Sequence, residues 1–181
     1  HLDEGDTAEI TVSGENYVPY TAVVAVVSEG YVDITGALEL DVEEPGFDLL
    51  RTDIIEWAKQ AGIKVNIYFF DFRRLDKEEL LITSIQTTII KKELDWIGTP
   101  EISKVIGLIG EKSDLFISMI DNGDFPIEFL GKCAKARFKM GRTEYSGHPY
   151  DIVISGNQTA ELRSDARKIF AAMTEFLKKI N

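Results

Sequence analysis

The chain has 181 residues, 44% of them hydrophobic and 28% charged, with one cysteine and two histidines. That composition supports a buried core and excludes a disordered chain, a disulfide framework, a multi-thiolate zinc site and a clustered-histidine metal site. Twenty Lys/Arg against 31 Asp/Glu leave a net charge of −11, which repels nucleic-acid phosphates and anionic headgroups, and no apolar run approaches the ~20 residues of a membrane span.

The acidity is concentrated at one end. Residues 1–62 carry 14 Asp/Glu against only Arg51 and Lys59, whereas the rest of the chain carries 17 acids and 18 bases. A solvated face that maintains solubility accounts for this bias. The chain starts His1-Leu2-Asp3 rather than with Met, so its natural start is expected to be missing or replaced. No basic segment leading into an apolar one marks a signal peptide, although one already removed would leave no trace. The lone thiol points to the cytoplasm.

Ala8–Val12 alternates as a half-exposed strand, and Thr21–Val27 is a short β-branched run, apolar on both faces, that predicts a strand in the middle of a sheet. Tyr31–Thr35 and Ala37–Val42 alternate around Gly36 and predict an acidic hairpin or edge excursion, so that residues 8–44 read as a partly irregular acidic segment near the N-terminus. Pro45-Gly46 opens a helix over 46–61 with Phe47, Leu50, Ile54, Trp57, Ala58 and Ala61 at helical spacing and Gly62 as its stop. Lys64–Asp71 follows as a strand, which completes a βαβ unit. Residues 73–81 are charged and then apolar and fit no element.

Thr87–Ile90 reads as a strand. Thr99 as N-cap and Pro100 as first residue start a helix whose Ile102, Val105, Ile106 and Ile109 share one face, ended by Gly110. Asp114–Ile120 is a buried strand, Ile127, Leu130 and Ala134 mark a short helix, and Ala136–Met140 and Asp151–Ile154 are strands. A closing helix over 158–180 turns Leu162, Ala166, Ile169, Phe170, Met173, Phe176, Leu177 and Ile180 inward. Strands alternating with helices predict a single α/β domain over 1–181: a three-layer Rossmann-like sandwich whose mainly parallel sheet holds 21–27, 64–70, 114–120 and 151–154 as neighbours.

In such sheets ligands bind beyond the carboxyl ends of the strands. Ser28, Glu29, Asp71, Asp121 and Asp124 fall at those ends and are the ligand-binding candidates, joined by Trp96. Glycine-rich phosphate motifs are absent, which argues against dinucleotide and P-loop binding. Asp71, Asp121 and Asp124 have the oxygen chemistry of a Mg²⁺ site, but Asp124 suits a helix cap and Asp121-Asn122-Gly123 a turn, so no metal or cofactor is expected. Cys133 and His148 are of the residue types of a nucleophile–base dyad, but Cys133 falls near the apolar side of a helix and reads as a small core residue.

The segment Lys132–Arg142 holds five bases and no acid. Arg137 and Lys139 alternate with Phe138 and Met140, giving a basic face and an apolar face. The pattern fits a charge-protected sheet edge, and also an anion or acidic-partner site built from Lys135, Arg137, Lys139 and Arg142. The acidic first third of the chain, in cis or in another copy, is a candidate partner. Trp96, in Asp95-Trp-Ile-Gly-Thr-Pro100, is expected to plug the gap between a loop and the core rather than to stack on a ligand.

Asp95-Trp96-x-Gly98-x-Pro100, Ser113–Ile117, Phe125-Pro126-Ile127, Ala134–Arg142 and His148–Ile154, in that order, resemble an uncharacterised Bacteroidota family of small α/β proteins, of the DUF6913 type. The resemblance covers residues 87–181 and extends more loosely back through the βαβ unit. Two departures stand out: Ala134 occupies a position where Ser is expected, and Tyr31–Glu44 looks like an insertion. The resemblance implies a cytoplasmic α/β protein and brings no activity, substrate or cofactor. Without a nucleophile–base pair, phosphate loop or metal cluster, a non-catalytic binding or assembly module is favoured, acting on a protein partner or on itself. The rival is an enzyme or sensor of a small anionic ligand at the sheet crevice between Ser28 and Asp121.

Overall fold

In the computed structural model of the chain, which describes residues 7–12, 20–25, 34–73, 83–84, 86–121, 125–155 and 165–180, two sheets form. They belong to two compact units, His1–Val32 and Asp33–Asn181. In the first unit β1 (Thr7–Val12) and β2 (Tyr20–Ala25) pair antiparallel, from Thr7 opposite Ala25 to Val12 opposite Tyr20. The run expected at the centre of the parallel sheet is therefore half of a hairpin. Residues Ser28 and Glu29 lie outside the described residues.

The second unit contains β3 (Ile34–Asp41), α1 (Phe47–Gln60), β4 (Ile63–Asp71), β5 (Thr88–Ile90), α2 (Ile102–Gly110), β6 (Ser113–Ser118), α3 (Phe125–Cys133), β7 (Ala136–Gly141), β8 (Ile152–Val153) and α4 (Ala166–Ile180). Its six strands are all parallel, in the order β5-β4-β3-β6-β7-β8. This is an α/β fold with the doubly wound order, and the chain reverses its direction of travel across the sheet between β3 and β6.

The central strand is β3, the segment that reads from sequence as an acidic edge excursion. Only five residues separate Asp41 from α1, the short loop that a βαβ crossover uses. Alternation misleads here because Thr35 and Glu39 look like a solvent face. In the structure Leu38 and Leu40 point to one covered face, and Ala37 and Glu39 to the other. Leu38, Leu40, Phe69, Ile117 and Met140 pack under α1 and α4, through Leu50, Ile54, Ile169, Phe170 and Met173. Tyr68, Phe70 and Phe116 pack under α2 and α3, through Val105, Leu108, Ile127 and Leu130. Arg167 joins α4 to α1 by donating to both carboxylate oxygens of Asp53.

Three further expectations shift. Pro100 does not start a helix: it bridges to Leu94, and α2 begins at Ile102 after Glu101. On α2 the buried residues are Val105 and Leu108, while Ile102 and Ile106 are exposed. The basic strand β7 is an edge only in its first half, because the two-residue β8 pairs with Met140 and Gly141 on its outer side. The closing helix is described from Ala166, and residues 156–164 lie outside the described residues, as do 74–82.

Candidate functional site

At the carboxyl edge of the sheet the loops after β3, β6 and β7 meet on one arginine. Arg142, the residue after β7, is 2% exposed. Its Nη1 donates to Glu44 Oε2 at 2.8 Å and to the Met119 carbonyl at 3.3 Å, and Nη2 stands 3.4 Å from Asp121 Oδ2. Its own amide donates to the Ser118 carbonyl. Burial pushes the Glu44 carboxyl above the ordinary carboxylate range, and Arg142 pulls it back. This arginine therefore locks the switch-point loops to each other, which corrects its assignment to an anion-binding surface.

The two acidic candidates among the described residues, Asp71 and Asp121, are held apart by different partners. Asp71, buried at the end of β4, takes a two-pronged bond from Arg73, with Nε at 2.8 Å and Nη2 at 2.7 Å. Asp121 accepts from the Thr143 hydroxyl at 3.2 Å and lies on the Arg142 side. With β3 between β4 and β6, the two carboxylates belong to strands ~10 Å apart. Asp124 is outside the described residues. Among the described residues no group of three or more His, Cys, Asp or Glu is arranged to hold a metal.

The basic segment is dispersed. Arg137 has an 82% exposed side chain with Nη1 3.4 Å from Asp114. That carboxylate is held below the usual range, first by the Thr35 amide at 2.9 Å. The Lys139 ammonium donates to the Gly131 carbonyl at 3.0 Å. Lys135 is exposed just before β7, as Lys59, Lys64 and Lys112 are exposed at the same amino edge of the sheet. Helix C-termini gather there, and their partial negative charge accounts for the lysines without an external anion. Phe138 packs on Phe176, and Met140 is fully buried.

Beneath the switch point lies a buried polar trio that sequence reasoning missed. Glu39 and Ser118 are register partners on β3 and β6, and Tyr150 reaches the same face from the loop before β8. Ser118 Oγ stands beside both the Glu39 carboxyl and the Tyr150 hydroxyl, although none of these buried atoms makes a well-aligned hydrogen bond among the described residues. Burial raises the Glu39 pKa to about 8, with the Ser118 hydroxyl beside it pulling the other way. Tyr150 lies over Gly141 so closely that a Cβ there would come within 2.1 Å of its ring. Its ring stacks on Phe116 at 6.3 Å. The only trace in the sequence is an acid inside an otherwise apolar alternation.

Trp96 is not a plug. It is 93% exposed, at the tip of a turn closed by the Leu94–Pro100 bridge. Asp95 Oδ1 accepts from the amides of Ile97, Gly98 and Thr99 at 2.9, 2.9 and 2.7 Å, and the Asp95 amide donates to the Thr99 carbonyl at 3.0 Å. Those amides hold the Asp95 carboxyl below its ordinary range. Gly98 sits at φ 101°, which a side chain would disfavour. The turn is thus built to fix its shape while leaving the indole in solvent. Of the large hydrophobic residues exposed among the described residues, half lie in this stretch: Trp96, Ile97, Ile102 and Ile106.

A family model described as a family of unknown function, DUF6913, matches residues 50–172. The chain is a member of the DUF6913 family. Its match runs from within α1 into α4 and takes in the Trp96 turn, α2, Arg142 and Tyr150. No curated protein and no solved structure gives a significant match. No helix among the described residues is long and apolar enough to cross a membrane.

Proposed function

We propose that this chain is a non-catalytic protein-binding module, and that its contact element is the Trp96 turn together with the outer face of α2. The observation that carries this reading is the 93% exposure of a tryptophan on a turn pinned by three backbone hydrogen bonds to Asp95. An indole in water serves no folding purpose, while a rigid aromatic anchor loses little entropy on burial in a partner and dominates interface energetics. Ile102 and Ile106, one turn apart on α2, are further exposed apolar residues within ten positions of Trp96, and the reading takes them with it as one contact element. At the carboxyl edge, by contrast, Arg142 is committed to Glu44 and Asp121, and a small anion would have to displace its own carboxylates.

The test compares wild type with the Trp96→Ser, Ile106→Ser double variant in an extract of the producing cells. Wild type is expected to elute well above its 20.3 kDa mass, and the double variant as a monomer with an unchanged melting temperature. Co-elution of the two at the monomer position overturns the reading.

A further inference from the structure

We propose that the proton on Glu39 works a latch: while it is held, the Tyr150 ring stays seated at the carboxyl edge of the sheet, and its loss lifts that ring out and admits water. The first support is how the buried trio is mounted. Glu39 and Ser118 are fixed as register partners on β3 and β6, and Ser118 is in turn the register partner of Gly141 on β7. Tyr150 is fixed by no helix or strand, since it belongs to the irregular connection between β7 and β8, residues 142–151. Two glycines make the slot it fills. A Cβ at Gly141 would run into the Tyr150 ring, and one at Gly131 of α3 would come within 2.9 Å of its hydroxyl. A ring held in such a slot by a loop can leave without breaking a strand pair.

The second support is charge. With its proton, Glu39 is one of three neutral groups that meet through Ser118 Oγ. Without it, a full negative charge is enclosed. The cations on the elements over this face are engaged elsewhere: Lys139 of β7 donates to the Gly131 carbonyl, Lys132 of α3 pairs with Glu128, and Lys104 of α2 faces Glu93. Asp41, two residues along β3, Tyr68, the register partner of Glu39 on β4, and Tyr145, packed on Tyr150, add no positive charge. Hydration is the relief left to such a carboxylate, and displacing Tyr150 supplies it.

The direction of the pH effect follows. In the closed state burial holds the Glu39 pKa at about 8, and contact with water returns it toward 4.5. Opening therefore releases a proton, and the open fraction grows with pH between those values, about ninefold from pH 6 to pH 7.

Amide hydrogen exchange of the full chain tests this. The Asp151 amide, next in sequence to Tyr150, donates to the Lys139 carbonyl and reports the connection, while the Val42 and Met119 amides donate to the Phe70 and Glu39 carbonyls and report the sheet. In wild type the Asp151 protection factor is expected to fall about ninefold from pH 6 to pH 7 and to be insensitive to about 1 M urea, as a local opening requires, whereas the sheet amides respond to urea. In Glu39→Gln it should not change with pH. A protection factor that is flat in wild type, or falls equally in Glu39→Gln, overturns the latch. So does equal urea sensitivity of Asp151 and the sheet, because Glu39 would then meet water only on global unfolding. A second measurement removes the ring. The stability gap between Tyr150→Ala and the Tyr150→Ala, Glu39→Gln double variant should stay constant from pH 5 to pH 9. A gap that still widens as it does with Tyr150 in place shows that this ring does not keep water from Glu39, and overturns the proposal.

Discussion

Replacing Glu39 by Gln is expected to stabilise this protein, and to do so more as pH rises. Glu39 is fully buried in β3 with only the Ser118 hydroxyl beside it to oppose desolvation, and burial lifts its pKa from 4.5 to about 8. The folded state therefore keeps its proton to higher pH than the unfolded chain, where the group ionises near 4.5. Between those values the unfolded state holds fewer protons, so stability falls as pH rises. The loss begins near pH 4.5, reaches ~3 kcal/mol at pH 7 and levels off above pH 8 at no more than ~5 kcal/mol, at ~1.4 kcal/mol per unit. Glutamine keeps the shape and removes the titration. Urea unfolding of both proteins at pH 5, 7 and 9 isolates the effect, because every other titrating group is common to the two. The stability difference should widen from pH 5 to pH 9. Parallel profiles would show that Glu39 reaches water or a cation, and the account of the buried trio would fail.

The remaining predictions concern packing. Gly141→Ala would place a Cβ 2.1 Å from the Tyr150 ring and force that ring off Phe116. A loss of ~1–3 kcal/mol or more follows, readable as a lower urea midpoint. Arg142→Met leaves the Glu44 carboxylate half-buried opposite a methyl group and should cost ~3–5 kcal/mol, with part of the loss recovered by adding Glu44→Gln. Trp96→Ala should change monomer stability by less than ~0.5 kcal/mol, because the exposed indole contributes little to the core. A large drop in melting temperature would restore the plug.

The parallel α/β architecture was legible in the sequence because helices and strands alternate with different hydrophobic periods, and those periods survive in the folded unit. Phe47, Leu50, Ile54 and Ala58 line α1 as their spacing implies, and the strands at 64–70 and 114–120 overlap β4 and β6. Periodicity also located the basic alternation of β7, with Met140 inward and Arg137 outward.

What it did not decide was which strand stands at the centre. Thr21–Val27 has the more apolar run, yet Ile34–Asp41 takes the place because only it leads within five residues into α1. Local hydrophobicity measures how a segment tolerates burial, whereas strand order depends on loop closure and on partners distant in sequence. The same limit hid the fates of single residues. Glu39 looks solvated until both sheet faces are covered, Arg142 looks like surface charge until Glu44, 98 positions away, folds onto it, and Trp96 looks like core until Asp95 bends its own loop outward. Each outcome rests on contacts or hydrogen bonds that no periodic pattern encodes. Element type followed from sequence-local physics, and the burial and pairing of the site residues followed from tertiary structure.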